Sequence, residues 1–203
     1  MGTRHLICVV ANNEYKVAQY GQWDGYPSGQ GEDILKFLTS ELDKDLLLSK
    51  LDQTFEATDD QIKQWYKEAG NDRDDGFVDY GIAQKFSSMF PSLSRDTGSR
   101  ILSIIQNSEQ PVPIRLDKGF AGDSLFCEWA YVVDFDKNTF EVFEGFNQEP
   151  LSENERFYGL KTEEGSKYHP VKLKHTFHLD NLPSVEEFIS ILEPSEDSLD
   201  EGQ

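Results

Sequence analysis

Cysteine is scarce in this chain: Cys8 and Cys127 are the only two among 203 residues. That count excludes a disulfide framework, and a cysteine-based metal site would need more Cys or His at short spacing. Each lies in an apolar, strand-like run and reads as a reduced core thiol. Long apolar runs are missing too, and nothing approaches the roughly 18 residues expected of a membrane-spanning helix. The opening MGTRHLICVV turns polar at Ala11-Asn12-Asn13, too early for a secretory apolar region of roughly 7–15 residues. Leu6 stands where N-myristoylation wants Ser or Thr. With no N-x-Ser/Thr site either, the expected location is the cytoplasm.

Positive charge is short as well. Lys and Arg number 19 against 38 Asp and Glu, a net charge of −19 with no basic stripe to offset it. Such a surface repels phosphate backbones and anionic lipid, so neither nucleic acid nor membrane is an expected partner. The last eleven residues hold five acids and no base, and the segment 194–203 reads as an acidic disordered tail.

Aromatic residues, by contrast, are plentiful: 14 Phe, 8 Tyr and 3 Trp, enough for a sizeable core. Residues 5–10 and 15–20 form a predicted hairpin, joined through Asn12-Asn13, which tolerate the positive φ of a tight turn. The first strand is apolar on both faces, which predicts a sheet covered on two sides. A glycine-rich stretch over 21–31 breaks regular structure, and a helix marked by Ile34, Leu35, Phe37 and Leu38 follows. Further helices are predicted over 41–51, 61–69 (closed by Gly70), 80–90, 100–106 (capped by Asp96 or Thr97) and 183–192 (capped by Ser184). Segment 111–116 is extended. A second hairpin pairs 126–135 with 140–146, placing Trp129, Tyr131, Val133 and Phe135 on one face. Residues 149–167 read as an exposed loop. Residues 171–179 read as a strand alternating Val171, Leu173, His175, Phe177 and Leu179 on its apolar face. The whole predicts one α+β domain over 1–193, an antiparallel sheet covered by helices.

One region looks specialised. If the first turn centres on Asn12-Asn13, then Thr3 and Arg4 lie across from Gly21 and Gln22. Arg4, Gln22, Trp23, Asp24 and Tyr26 then gather at one end of the sheet. Two readings stay open. In one, Arg4 and Asp24 form a structural ion pair and the aromatics plug the core. In the other, Arg4, Gln22, Trp23 and Tyr26 line a seat for a small molecule or a protein segment.

Other chemistry finds less support. A calcium loop begun at Asn71 would put Arg73 and Ile82 at ligand positions three and twelve, so the pattern fails. No Gly-x-Ser-x-Gly elbow, phosphate loop or cofactor motif occurs, so no cofactor and no metal is expected. His175 and His178 point to opposite faces of their strand, His5 and His169 lack an evident partner, and Cys8 has no basic neighbour in sequence.

The stretches GTRHLICVV and AQYGQWDGYPSGQG, with SLFCEWAYVVDFDKNTFEVFEGF and LDNLPSVEEF later, resemble a family of uncharacterised microbial proteins across most of the chain. A second resemblance is to N-terminal-nucleophile hydrolases of the bile-salt and penicillin-acylase type, in which an Asp ends the second strand beside a Trp. It implies an αββα sandwich and an amide hydrolase. Thr3 would become the nucleophile after loss of two residues, Asp24 and Arg4 would position the substrate, and Asn147 would donate to the oxyanion. Trp23 precedes Asp24 here, where those enzymes commonly have the reverse order. The first expectation is a non-enzymatic binding module, and the hydrolase is the alternative.

Overall fold

The computed structural model describes residues 2–73 and 75–194. The expected tail lies, from residue 195 onward, outside them. The first hairpin is present: β1 (His5–Ala11) and β2 (Glu14–Gly21) turn through Asn12 and Asn13, at φ 57° and 60°. Its register differs from the simple count. A bulge between Val9 and Val10 on β1 leaves Lys16 of β2 unpaired, so Gly21 faces His5 rather than Arg4. An extra residue in one strand shifts everything beyond it by one place.

The glycine-rich stretch starts the helical run earlier than expected. Pro27–Gly31 is already a wide helical turn, with Pro27 in its first position, where a missing N–H costs nothing. It runs straight into α1 (Glu32–Lys36). Next come α2 (Lys44–Leu51) and the short β3 (Phe55–Glu56). α3 (Asp59–Ala69) opens with a reciprocal Thr58–Gln61 capping box and closes on Gly70 at φ 109°. α4 (Tyr80–Met89) stops before Pro91, and α5 (Arg100–Asn107) begins after Ser99. Thr97, an expected cap for α5, instead directs its hydroxyl to the Pro91 carbonyl.

The second half supplies β4 (Pro113–Ile114), β5 (Trp129–Asp134), β6 (Thr139–Glu144), β7 (Lys172–His178) and α6 (Val185–Leu192), the last capped by Ser184. Five strands form one sheet in the order β2-β1-β5-β6-β7. β1 and β5 run parallel at its centre, so the sheet is mixed, which corrects the antiparallel expectation. Each hairpin is antiparallel within itself, and local sequence carries no information on how the two dock. β3 and β4 make a separate parallel pair.

Both faces of the sheet are covered, by different means. Ile7, Val9, Tyr131, Val133 and Phe140 meet Ile34 and Leu35 of α1, Ile101 and Ile105 of α5, and Phe188 of α6. Burying a side chain of this kind contributes roughly 1.5–3 kcal/mol. The opposite face, with Leu6, Cys8, Ala130, Val132 and Phe143, is covered by irregular chain carrying Ala121, Phe157 and Val171. The segment 149–167, expected to be an exposed loop, therefore holds a fully buried Phe157. It also delivers Arg156, whose Nε donates to Glu141 Oε2 at 2.5 Å and whose Nη2 donates to Asp134 Oδ2 at 2.5 Å. A bulge between Val142 and Phe143 breaks the expected alternation of β7, leaving Leu173 exposed while Phe177 joins the helix-side core.

Candidate functional site

The strand directions bring the start of β1, the end of β2, the start of β5 and the end of β6 to one end of the sheet. The loop after β2 is held there from several sides. The Gly25 N–H donates to the Thr3 carbonyl at 3.0 Å, and the Gln30 N–H to the Asp24 carbonyl at 2.8 Å. From beneath, the buried Tyr131 hydroxyl donates to the Gly25 carbonyl at 2.8 Å. On the flank, Trp23 Nε1 donates to Asp96 Oδ1 at 2.9 Å and the Gln22 N–H to the Arg95 carbonyl at 3.0 Å. The Tyr20 hydroxyl donates to Gln22 Oε1 at 2.6 Å.

Asp24 sits at φ 55°, in the left-handed region that Asp and Asn enter more readily than other non-glycine residues. Its exposed carboxylate makes no ion pair among the described residues. Arg4 is occupied elsewhere: its guanidinium lies over the Phe126 ring, 4.8 Å from the centroid, and its backbone N–H donates to Glu128 Oε1 at 3.2 Å. The Arg4–Asp24 pair of the clamp reading does not form. The clamp is made of backbone hydrogen bonds instead.

Under the loop lies His5, buried, with neither ring nitrogen hydrogen-bonded. Burial lowers its pKa from 6.5 to about 4, against a smaller upward pull from the Thr3 backbone. The shifted register explains the two glycines around it. A Cβ on Gly21 would lie 2.1 Å from His5 Nε2, and one on Gly25 would lie 2.7 Å from the Thr3 carbonyl oxygen.

Trp23, Tyr26, Phe126 and Phe146 are between 40% and 52% exposed, and all four are carried by segments at this end of the sheet. Phe146 is itself at φ 53°. A bulky side chain in that region is a genuine outlier. Among the described residues, the other non-glycine residues at positive φ are Asn12, Asn13 and Asn138, all in hairpin turns. Sequence reading located Arg4, Gln22, Trp23, Asp24 and Tyr26 here. Phe126 and Phe146 escaped it, since they belong to the second hairpin and only the β1–β5 pairing brings them across.

The residues proposed for catalysis are placed as follows. Thr3 is buried next to the Gly25 turn. Asn147 lies after β6 with its side-chain amide committed to the carbonyls of Glu149 and Pro170, at 2.8 and 2.9 Å. Both amide hydrogens are therefore used. Burial pushes the Cys8 thiol up to about 12 and the Cys127 thiol well above its ordinary range, against nucleophilic thiolates. His175 packs on Phe177 with centroids 4.3 Å apart. Among the described residues no group of three His, Cys, Asp or Glu could hold a metal ion, and no helix is long and apolar enough to cross a membrane.

Beside the loop, along the outer edge of β2, run cavities that sequence patterns gave no sign of. One of about 460 Å³ is lined by Tyr20, Arg115, Asp117 and Phe120, and one of about 270 Å³ adds Gln19 and Arg95. A third, of about 730 Å³, lies between Tyr66, Tyr80, Phe86 and Arg95. Comparison of the chain with protein-family models, curated proteins and solved structures finds no match.

Proposed function

We propose that the chain is a non-enzymatic binding module of the cytoplasm whose recognition surface is the aromatic end of the sheet. The observation that carries this reading is that Trp23, Tyr26, Phe126 and Phe146 are half-exposed on segments at one end of the sheet, and those segments hold two residues at left-handed φ. Strain kept in a well-tied framework is characteristic of functional positions. Half-exposed rings of this kind are the anchors by which binding surfaces gain most of their affinity. The occupant would be a small molecule or protein segment with an apolar face, with Arg4 and the exposed Asp24 carboxylate at the margin. The cytoplasmic assignment rests on two unpaired, buried thiols.

A fragment screen read on the indole N–H signals of the three tryptophans tests the reading. Ligands are expected to shift Trp23 and to lose about tenfold or more in affinity in Tyr26→Ala, a change of about 1.4 kcal/mol, with the melting temperature unmoved. Ligands that shift only Trp65, or that bind Tyr26→Ala unchanged, overturn it.

One contact favours the hydrolase as a second reading: the Gly25 N–H on the Thr3 carbonyl sets the Asp24 turn against Thr3. In that chemistry the Thr3 hydroxyl attacks an amide carbonyl and its own α-amine takes the proton, so Thr3 must be the first residue. The αββα sandwich belongs to this reading and would need a second large sheet, whereas β3–β4 is two-stranded. The committed Asn147 amide also weighs against it. The intact mass of protein from its native host separates the two. A chain starting at Thr3 supports the hydrolase, and one retaining Gly2 removes it.

A further inference from the structure

The outer edge of β2 is sealed by two irregular segments, each of which delivers an arginine. Gln19 Nε2 donates to the Ser94 carbonyl at 3.0 Å, the Gln22 N–H to the Arg95 carbonyl at 3.0 Å and the Asp117 N–H to the Ala18 carbonyl at 2.8 Å. Arg95 and Arg115 are thereby placed along one cleft, and both line the cavity of about 270 Å³. Tyr66, on α3, lies beside the same cleft. Its ring stacks on Phe86 with centroids 3.9 Å apart and planes 9° apart, and it lines one cavity with Arg115 and another with Arg95.

The other arginines are used by the protein itself. Arg4 covers Phe126, Arg73 pairs with Asp75, Arg100 donates to the carbonyls of Asp96 and Thr97, and Arg156 pairs with Asp134 and Glu141. Among the described residues, the Arg95 guanidinium alone of the six has no hydrogen-bond, ion-pair or ring partner. Arg115 has one, an exposed contact with Asp59 at 3.1 Å, of the kind that contributes little and exchanges readily. In a chain with twice as many acids as bases, Arg95 and Arg115 stand beside one cavity, with Asp117 the acid that lines it with them. Asp117, next to Arg115, is partly buried, and burial raises its carboxyl pKa against a downward pull from the Arg115 charge. The adjoining cavity of about 730 Å³ has a mixed lining: Tyr66, Tyr80, Phe86 and Leu93 supply apolar surface, and Gln84, Arg95 and Asp96 supply polar groups.

We propose that this cleft binds a small organic oxyanion, its phosphate or carboxylate held by Arg95, Arg115 and the Tyr66 hydroxyl and its apolar body lying along Tyr80, Phe86 and Leu93. This site adjoins the aromatic end of the sheet through the Gln22–Arg95 and Trp23–Asp96 hydrogen bonds, and it is tested by ligands and variants of its own.

Calorimetric titration of the full chain with phenyl phosphate, phenylacetate, inorganic phosphate and neutral benzyl alcohol tests the assignment. At least one aryl anion is expected to bind, more weakly as salt rises, and at least tenfold more tightly than benzyl alcohol. The stronger of phenyl phosphate and phenylacetate identifies the oxyanion. Arg95→Gln and Arg115→Gln are each expected to cost about tenfold, while Lys137→Gln, at the opposite end of the sheet, changes nothing. Both arginines are exposed, so these variants should keep the wild-type melting temperature. Failure of every anion to bind below about 10 mM, equal binding of benzyl alcohol, or unchanged affinity in both arginine variants overturns the proposal.

Discussion

The two ends of the five-stranded sheet are made by the same two hairpins and solve their polar chemistry in opposite ways. At the turn end, the left-handed residues are asparagines, and the Asp136 carboxylate accepts the Asn12 and Asn13 N–H groups at 2.9 and 2.7 Å. The buried Asp134 carboxylate there accepts from the Asp136 and Lys137 N–H groups and from Arg156. At the other end, the left-handed residues are Asp24 and Phe146, the buried titratable group is an unpartnered His5, and the aromatic rings face outward. One end meets every local demand. The other leaves several open, and such places are where binding surfaces are found.

The largest effect is expected from breaking the well-paired end. Arg156→Met would leave Asp134 and Glu141 buried without their cation, at a cost of roughly 3–5 kcal/mol. Denaturant titration should show that loss, and the triple variant that also replaces Asp134 with Asn and Glu141 with Gln should recover part of it. If Arg156→Met melts like the wild type, the network contributes nothing and the contrast between the ends fails.

At the open end the corresponding lever is pH. The folded-state pKa of His5 lies below its ordinary value of 6.5, at about 4, so the fold favours the neutral ring. Stability from this group is therefore complete above about pH 6.5 and is lost as pH falls toward 4. The full loss is on the order of 3 kcal/mol. Unfolding free energies at pH 7 and pH 5 should differ in the wild type and converge in His5→Leu. An equal fall in both chains would assign the effect to other groups.

Gly21→Ala ranks next. Its new Cβ would fall on the buried His5 ring, and overpacking of that kind costs about 2 kcal/mol. Combined with His5→Ala, the penalty should shrink, because the colliding ring is gone. Additive losses would place the strain elsewhere.

How far all this could be read from sequence follows the range of the interactions. The Asn12-Asn13 turn, Gly70 and the Ser184 cap are local, and each formed as expected. The mixed sheet, the two bulges and the buried Phe157 depend on contacts between distant segments, and no periodicity within one segment encodes them. The candidate surface divides in the same way. Trp23 and Tyr26 stood out in a glycine-rich loop, whereas Phe126, Phe146, Arg95 and Arg115 look like ordinary residues until the chain is folded. His5 could be seen as a lone histidine, but its burial beneath Gly21 needed the one-residue shift that Lys16 introduces.

The smallest expected effect is the sharpest comparison of the two ends. Asn13→Gly, in a turn whose residue already tolerates positive φ, should change stability by no more than a few tenths of a kcal/mol. Phe146→Asn puts a residue that accepts the left-handed region where a half-exposed ring now sits, and should raise stability by about 1 kcal/mol. It should also weaken any ligand of the aromatic surface. A stabilised chain with impaired binding means that the strain at Phe146 is kept for recognition. A destabilised chain means that the ring, which lies 6.4 Å from Tyr168, is part of the framework, and the open end is then as structural as the turn end.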